Sequence, residues 1–186
     1  MEQETLLRKI AAALEQLGIP YLITGGLAVT VWGRPRFTAD IDIVVEIPPG
    51  KTEELIQSLQ ALGTDVAADP ESVVEAVRAS SEFNIVDSAS GLKVDFWVLH
   101  DNDPFDRERM RRRVKRTVGG QPLYFITPED LILIKLRWYK ESGSTRHLED
   151  IESILGIHED LDRDYLRRWA VQQSTRETLE ALLAKG

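Results

Sequence analysis

Tyr21-Leu22-Ile23-Thr24-Gly25-Gly26, then thirteen residues, then Asp40-Ile41-Asp42-Ile43 is the stretch on which the fold turns. The apolar run Tyr21 to Thr24 reads as a strand, Gly25-Gly26 as the turn that ends it, and Leu27 to Trp32 as a helix broken by Gly33-Arg34-Pro35. Ile41 to Ile47 is rich in β-branched residues and closed by Pro48-Pro49-Gly50, which predicts a second strand. Side chains at i and i+2 of a strand share a face, about 6.6 Å apart along the backbone, so Asp40 and Asp42 project together while Ile41 and Ile43 enter the core. A third acid, Asp95, lies in the run Leu92 to Leu99, where Val94, Phe96 and Val98 alternate as the buried face. If that strand neighbours the first, three carboxylates meet. They repel unless a hard, oxygen-seeking cation such as Mg²⁺ neutralises them.

Each piece has a plainer reading by itself. A Gly-Gly after a strand is commonly just a tight turn, Asp-Ile-Asp a half-exposed strand edge, and a lone Asp95 the solvent side of an alternating strand. The ordered conjunction of glycine turn, acid pair and later single acid is what points to a metal site.

Working outward, Leu6, Leu7, Ile10, Leu14 and Leu17 recur at helical spacing before Gly18. Helical patterns over 52–62 and 70–79 start at Thr52 and at Asp69-Pro70, and read as crossover helices. Residues 82–87 and 92–99 flank a Ser-Ala-Ser-Gly turn and predict an antiparallel hairpin. A second hairpin is predicted around Gly119-Gly120, from 113–118 and 122–126, with Pro122 required to sit on an edge. From Thr127-Pro128-Glu129-Asp130 onward the pattern is helical, over 128–141, 146–155, 162–173 and 175–184. The expected architecture is an α/β domain over 1–126 and a C-terminal helical region over 127–186 packed on it.

The 186 residues carry 23 Lys and Arg against 31 Asp and Glu, a formal net charge of −8 that argues against gross affinity for nucleic acid. The absence of cysteine excludes a disulfide scaffold, a thiolate metal site and a cysteine nucleophile. With no stretch of the ~18 apolar residues a membrane span needs and no basic-then-apolar leader, a soluble cytoplasmic protein is expected. Walker, dinucleotide GxGxxG, HExxH and GxSxG motifs are absent, which argues against a zinc or serine hydrolase.

The segment Ile23-Thr24-Gly25-Gly26 with Asp40-Ile41-Asp42-Ile43 and the later Asp95 resembles the signature of the polymerase-β-type nucleotidyltransferases. The string Arg36 to Asp42 and the segment Thr127 to Leu136 are similar to the AbiEii-like, toxin-type branch of that superfamily. The resemblance implies a nucleotidyltransferase-like mixed sheet with flanking helices followed by a C-terminal helical bundle. It also implies an enzyme that moves a nucleotide from an NTP to an RNA (tRNA-like) or protein hydroxyl, as the toxin of a toxin–antitoxin or phage-defence system with an antitoxin partner. By the same resemblance Gly25 and Gly26 would bring backbone N–H groups to the triphosphate, and Asp40 and Asp42 would hold Mg²⁺. Asp95 would bind a second metal and help deprotonate the attacking hydroxyl, while Thr38 and Arg36 would attend the phosphates. Two alternatives stand beside this reading. One is a non-catalytic nucleotide- or partner-binding module of the same fold, the other a small-molecule (antibiotic) nucleotidyltransferase.

Lys135 shares a helix face with Leu131 and Trp138 and so projects from an apolar stripe. Its ammonium either meets substrate phosphate or a catalytic acid, or snorkels to the edge of the core. Arg146, His147 and Asp150 resemble a further polar cluster of the same branch, although Asp150 at i+4 from Arg146 also fits a helix ion pair worth ~0.3 kcal/mol. The run Arg107 to Arg116 holds seven basic residues against one acid, which reads as a solvated face or as a contact for RNA or an acidic partner.

Overall fold

The computed structural model describes residues 3–63 and 66–185. Among them the chain runs α1 (Gln3–Leu17), β1 (Tyr21–Thr24), α2 (Gly25–Trp32), β2 (Asp40–Val45), α3 (Thr52–Gln60), β3 (Val66–Ala68), α4 (Pro70–Ala79), β4 (Glu82–Asp87) and β5 (Leu92–Val98). It continues through α5 (Pro104–Arg112), β6 (Val114–Val118), β7 (Gln121–Phe125), α6 (Pro128–Ser142), α7 (Thr145–Leu155), α8 (Arg163–Gln172) and α9 (Arg176–Leu183).

The described strands form one mixed sheet in the order β3-β4-β5-β2-β1-β7-β6. β1 pairs antiparallel with β2, and β2 pairs parallel with β5, which brings the two acid-bearing strands side by side. One face carries Ile23, Ile41, Ile43, Phe83, Ile85, Val94 and Phe96, all 2% exposed or less. Phe83 and Phe96 stack across the β4–β5 pair with centroids 4.8 Å apart. The apolar stripe of α1 that the sequence announces is buried from Leu6 to Leu14. α1 packs on α3, and α3 on α4, completing that layer.

Several starts obey their capping chemistry. Asp69, Asp103, Thr127 and Asp162 each accept a backbone N–H of the helix they precede, and Pro comes after the first three at the first helical turn. α3 is instead preceded by Lys51 with no side-chain cap, so Thr52 is its first residue and not its cap.

Two expectations are refined and two elements are added. The break at Gly25-Gly26 is tighter than the expected turn, because α2 begins at Gly25 itself and the left-handed φ of that one residue makes the bend. Pro122 is on β7, an inner strand, with β6 as the edge. It is tolerated there because β7 meets β1 at Phe125, leaving the side of β7 near Pro122 open. The three-residue strand β3 separates α3 from α4, and helix α5 covers the start of the basic run. Neither has enough apolar periodicity to be read from sequence.

Candidate active site

The register of the sheet decides the geometry. Thr24 is the Cα partner of Asp42 on one side, and Asp95 is its partner on the other. Partners across a ladder share a face, so Asp42 and Asp95 point the same way, with Asp40 two residues back on the same side. That face lies opposite the apolar layer, as alternation demands.

The beginning of α2 abuts these acids. Gly25 has φ of +64°, and a Cβ built there would overlap Oδ2 of Asp42; a Cβ on Gly26 would overlap Oγ1 of Thr38. The double glycine therefore lets Asp42 and Thr38 pack directly against the N-terminus of α2, where unpaired backbone N–H groups favour anions. A cavity of about 400 Å³ opens here, lined by Gly25, Gly26, Arg36, Thr38, Asp40, Asp42 and Lys135 among others. All the residues singled out from sequence line it except Asp95, which sits beside Asp42 in the sheet and is held by Lys93 Nζ at 2.7 Å.

Burial pushes the Asp42 carboxyl above its ordinary value, and the neighbouring carboxylates of Asp95 and Asp40 add to the rise. The nearby indole of Trp97 and the Lys135 ammonium oppose it. No group of three His, Asp or Glu side chains among the described residues forms a preassembled metal cage. The donor set nevertheless fits Mg²⁺, which is commonly held by one or two carboxylates together with substrate phosphates. An under-neutralised Asp42 with Asp40 beside it is that kind of half-site.

Lys135 does not snorkel. It is 3% exposed, and its Nζ donates to Oδ2 of Asp150 at 2.8 Å. The same carboxylate accepts from Nε and Nη2 of Arg36 at 2.7 and 2.9 Å, a bidentate pair. Asp150 thus pairs with Arg36 and Lys135, and the helix-spaced bond to Arg146 expected from sequence is not the one made. Burial pushes the Asp150 carboxyl up, but the two cations outweigh it and hold it below its ordinary value. Burial lowers the Lys135 ammonium, with Asp150 and Asp42 opposing. Arg146 and His147 also line the cavity; the His147 ring lies 5.7 Å from that of Trp138, and burial together with Lys135 depresses its pKa.

Three of the seven basic residues of the run are ion-paired within the molecule. Arg109 is buried on Asp106 at 2.8 Å, Arg111 is paired with Glu108, and Arg112 reaches Asp130 and Glu129. Arg112 also lies over Tyr165, Arg113 and Lys115 over Tyr124, and Arg116 over Trp32. Arg107, Arg113, Lys115 and Arg116 have no acid partner among the described residues, so less than half of the run is neutralised within the molecule.

A family model described as aminoglycoside-2''-adenylyltransferase matches residues 6–96, a span that includes both glycines and all three acids. No curated protein matches the sequence. Among solved structures, the antibiotic-resistance factor ANT(2'')-Ia in solution is similar over 99% of this chain and 98% of its own, at 19% identity and a TM-score of 0.61. The lincosamide antibiotic adenylyltransferase LnuA, with lincomycin bound, is similar over 85% of this chain and 99% of its own, at 18% identity and a TM-score of 0.57. An antigenic nucleotidyltransferase-like protein from Paracoccidioides brasiliensis is similar over 98% of this chain and 93% of its own, at 19% identity and a TM-score of 0.54. The chain has a nucleotidyltransferase fold. The narrower toxin-type branch has no support in these likenesses. The matched family and the antibiotic-modifying neighbours are adenylyltransferases. No helix among the described residues is long and apolar enough to cross a membrane.

Proposed function

We propose that this protein is a metal-dependent nucleotidyltransferase that moves a nucleoside monophosphate from an NTP to a hydroxyl of a small-molecule acceptor. The observation that carries the reading is the register Thr24–Asp42–Asp95, which sets two acids side by side against a helix N-terminus opened by Gly25 and Gly26. The small-molecule acceptor is favoured over RNA or protein for two reasons. The antibiotic adenylyltransferases run with this chain over nearly their whole length, and the three arginines of the basic run that lie on α5 beyond Arg107 are tied to acids of the same molecule.

In this reading Asp40 and Asp42 hold Mg²⁺, which when bound supplies charge neutralisation at the reacting phosphate. The N-terminus of α2 and Thr38 receive phosphate oxygens. Lys135 and Arg36, fixed by their shared carboxylate, face the same cavity and balance the triphosphate's charge. Asp95, on the acceptor side of Asp42, takes the hydroxyl proton, and its bond to Lys93 orients it for that task. The new bond joins the acceptor oxygen to the α-phosphorus, and the bond to the bridging oxygen breaks, releasing pyrophosphate.

The test traces label from each α-³²P-labelled NTP into low-mass acceptors, total RNA and protein, with Mg²⁺ and with EDTA. Metal-dependent label in a low-mass product that Asp42→Asn abolishes is expected. Metal-dependent label confined to RNA or protein would reinstate the other acceptor class, and tight nucleotide binding without pyrophosphate release would make this a binding module.

A further inference from the structure

Several buried polar atoms without partners gather along one side of α6. Thr24 Oγ1, Arg109 Nε and both side-chain amide atoms of Gln173 have no hydrogen-bond partner, and Trp97 Nε1 approaches Asp42 without closing a hydrogen bond. All of them line two adjoining cavities. Thr24 is 0% exposed and Arg109 6%. The inner cavity, about 280 Å³, lies over Thr24, the neighbour of Asp42 in its own row of the sheet, and over Val44 and Trp97, one row along. The outer one, about 440 Å³, lies between α5, α6 and the end of α8 and shares Arg137 and Glu141 with the inner. Trp138 in turn is common to the inner cavity and the acid site. Sharing these residues, the three cavities succeed one another along α6 from the carboxylates outward, and the inner and outer ones together are termed the groove.

Its chemistry is specific. Aromatic rings wall it in pairs: Trp97 with Trp138 at 6.4 Å, and Phe105 with Trp169 at 5.2 Å. Its charges cancel in place, Asp106 on Arg109 at 2.8 Å and Asp103 on Arg137 at 3.0 Å, while Lys140 donates to the backbone of Gln173. A polycation needs unpaired carboxylates, and beyond the acid site Glu141 is the one acid of the inner and outer cavities without an ion pair among the described residues. What the groove does offer unspent is a guanidinium N–H, a hydroxyl, and an amide that both donates and accepts, with the indole N–H of Trp97 turned toward Asp42. Aromatic faces beside such groups suit the apolar faces and hydroxyl edges of a sugar ring.

We propose that the groove along α6 binds an uncharged, hydroxyl-rich, sugar-sized acceptor and discriminates against polyaminated ones. The proposal deepens the transferase reading above and rests on it. A hydroxyl of a ligand seated over Trp97 lies beside Asp42 and Asp95, where a monophosphate would be received.

The test uses the full chain and two probes with one skeleton, N,N'-diacetylchitobiose and its free-diamine counterpart. Each is titrated with the protein saturated by Mg²⁺ and a non-hydrolysable ATP analogue whose own affinity is measured first. The acetylated probe should bind at least fivefold more tightly than the diamine. Gln173→Leu and Trp169→Ala should each weaken it at least fivefold and leave the ATP analogue's affinity unchanged. Tighter binding of the diamine, or no binding of either probe by protein that takes up the analogue, overturns the proposal. So does unchanged binding in both variants, which would mean that ordered water alone satisfies these atoms. Failure to bind the ATP analogue would instead count against the transferase reading.

Discussion

Removing the charge of Asp150 is the perturbation that most directly tests the site's electrostatics. Its carboxylate is shared between a cation that can retreat to water and one that cannot: the Arg36 side chain is 25% exposed, that of Lys135 4%. In Asp150→Asn the arginine turns outward at little cost, but Lys135 is left charged and buried with one neutral hydrogen bond. Breaking a buried pair from one side costs ~3–5 kcal/mol, and the retained amide contact places the loss near ~3 kcal/mol. For a chain of this size that corresponds to a fall of roughly 6–12 °C in Tm. Lys135→Met behaves differently, since Asp150 keeps its bidentate arginine, and should cost about 1 kcal/mol or less. The double variant should match Lys135→Met, giving a coupling of ~3 kcal/mol. Sign matters here too. The folded carboxyl is held low, so its contribution is complete above the ordinary aspartate pKa and disappears as pH falls through the lowered value. Urea unfolding of the four proteins at neutral and acid pH reads all of this. Equal and additive losses in the two single variants would refute the shared-carboxylate account.

Asp42→Asn should abolish metal-dependent transfer yet raise Tm at neutral pH by a few degrees, because the native carboxyl is raised by burial; the gain should fade towards low pH, where the wild-type group is protonated in both states. Calorimetry with and without Mg²⁺ checks it, since the cation should stabilise wild type and not the variant. Gly25→Ala combines a left-handed backbone with overlap on Asp42 and should lower stability by roughly 2 kcal/mol or more while eliminating nucleotide binding, measured by denaturation and titration. Tyr165→Phe removes a 2.6 Å hydrogen bond to buried Asp130 and should cost ~1–3 kcal/mol, with the rate of transfer by the folded protein unchanged.

The acid row is legible in the sequence because strand alternation is a two-residue rule, and Ile41, Ile43, Val94 and Phe96 state it without interruption. Most helices after residue 127 are legible for a similar reason, since Thr127 caps α6 and Asp162 caps α8. The partners of Asp150 are not, because sequence shows neighbours four apart and hides Arg36, 114 positions away. Gly25 and Gly26 stand out in the sequence, but only part of their reason does: beside the left-handed bend at Gly25, the need for glycine comes from Asp42 and Thr38 across the fold. The groove along α6 is invisible. Its walls come from β1, β5, α5, α6 and α8, and buried groups lacking partners leave no mark in a linear pattern.

The placement of that groove separates chemistry from choice. The reacting groups project from strands locked by register, where one residue of slip would turn every acid into the core. The outer walls are helical side chains such as Pro104, Lys140 and Trp169, which lie outside the ladder of the sheet. Retargeting such a scaffold to a new compound is therefore a matter of reupholstering three helices around an unaltered engine.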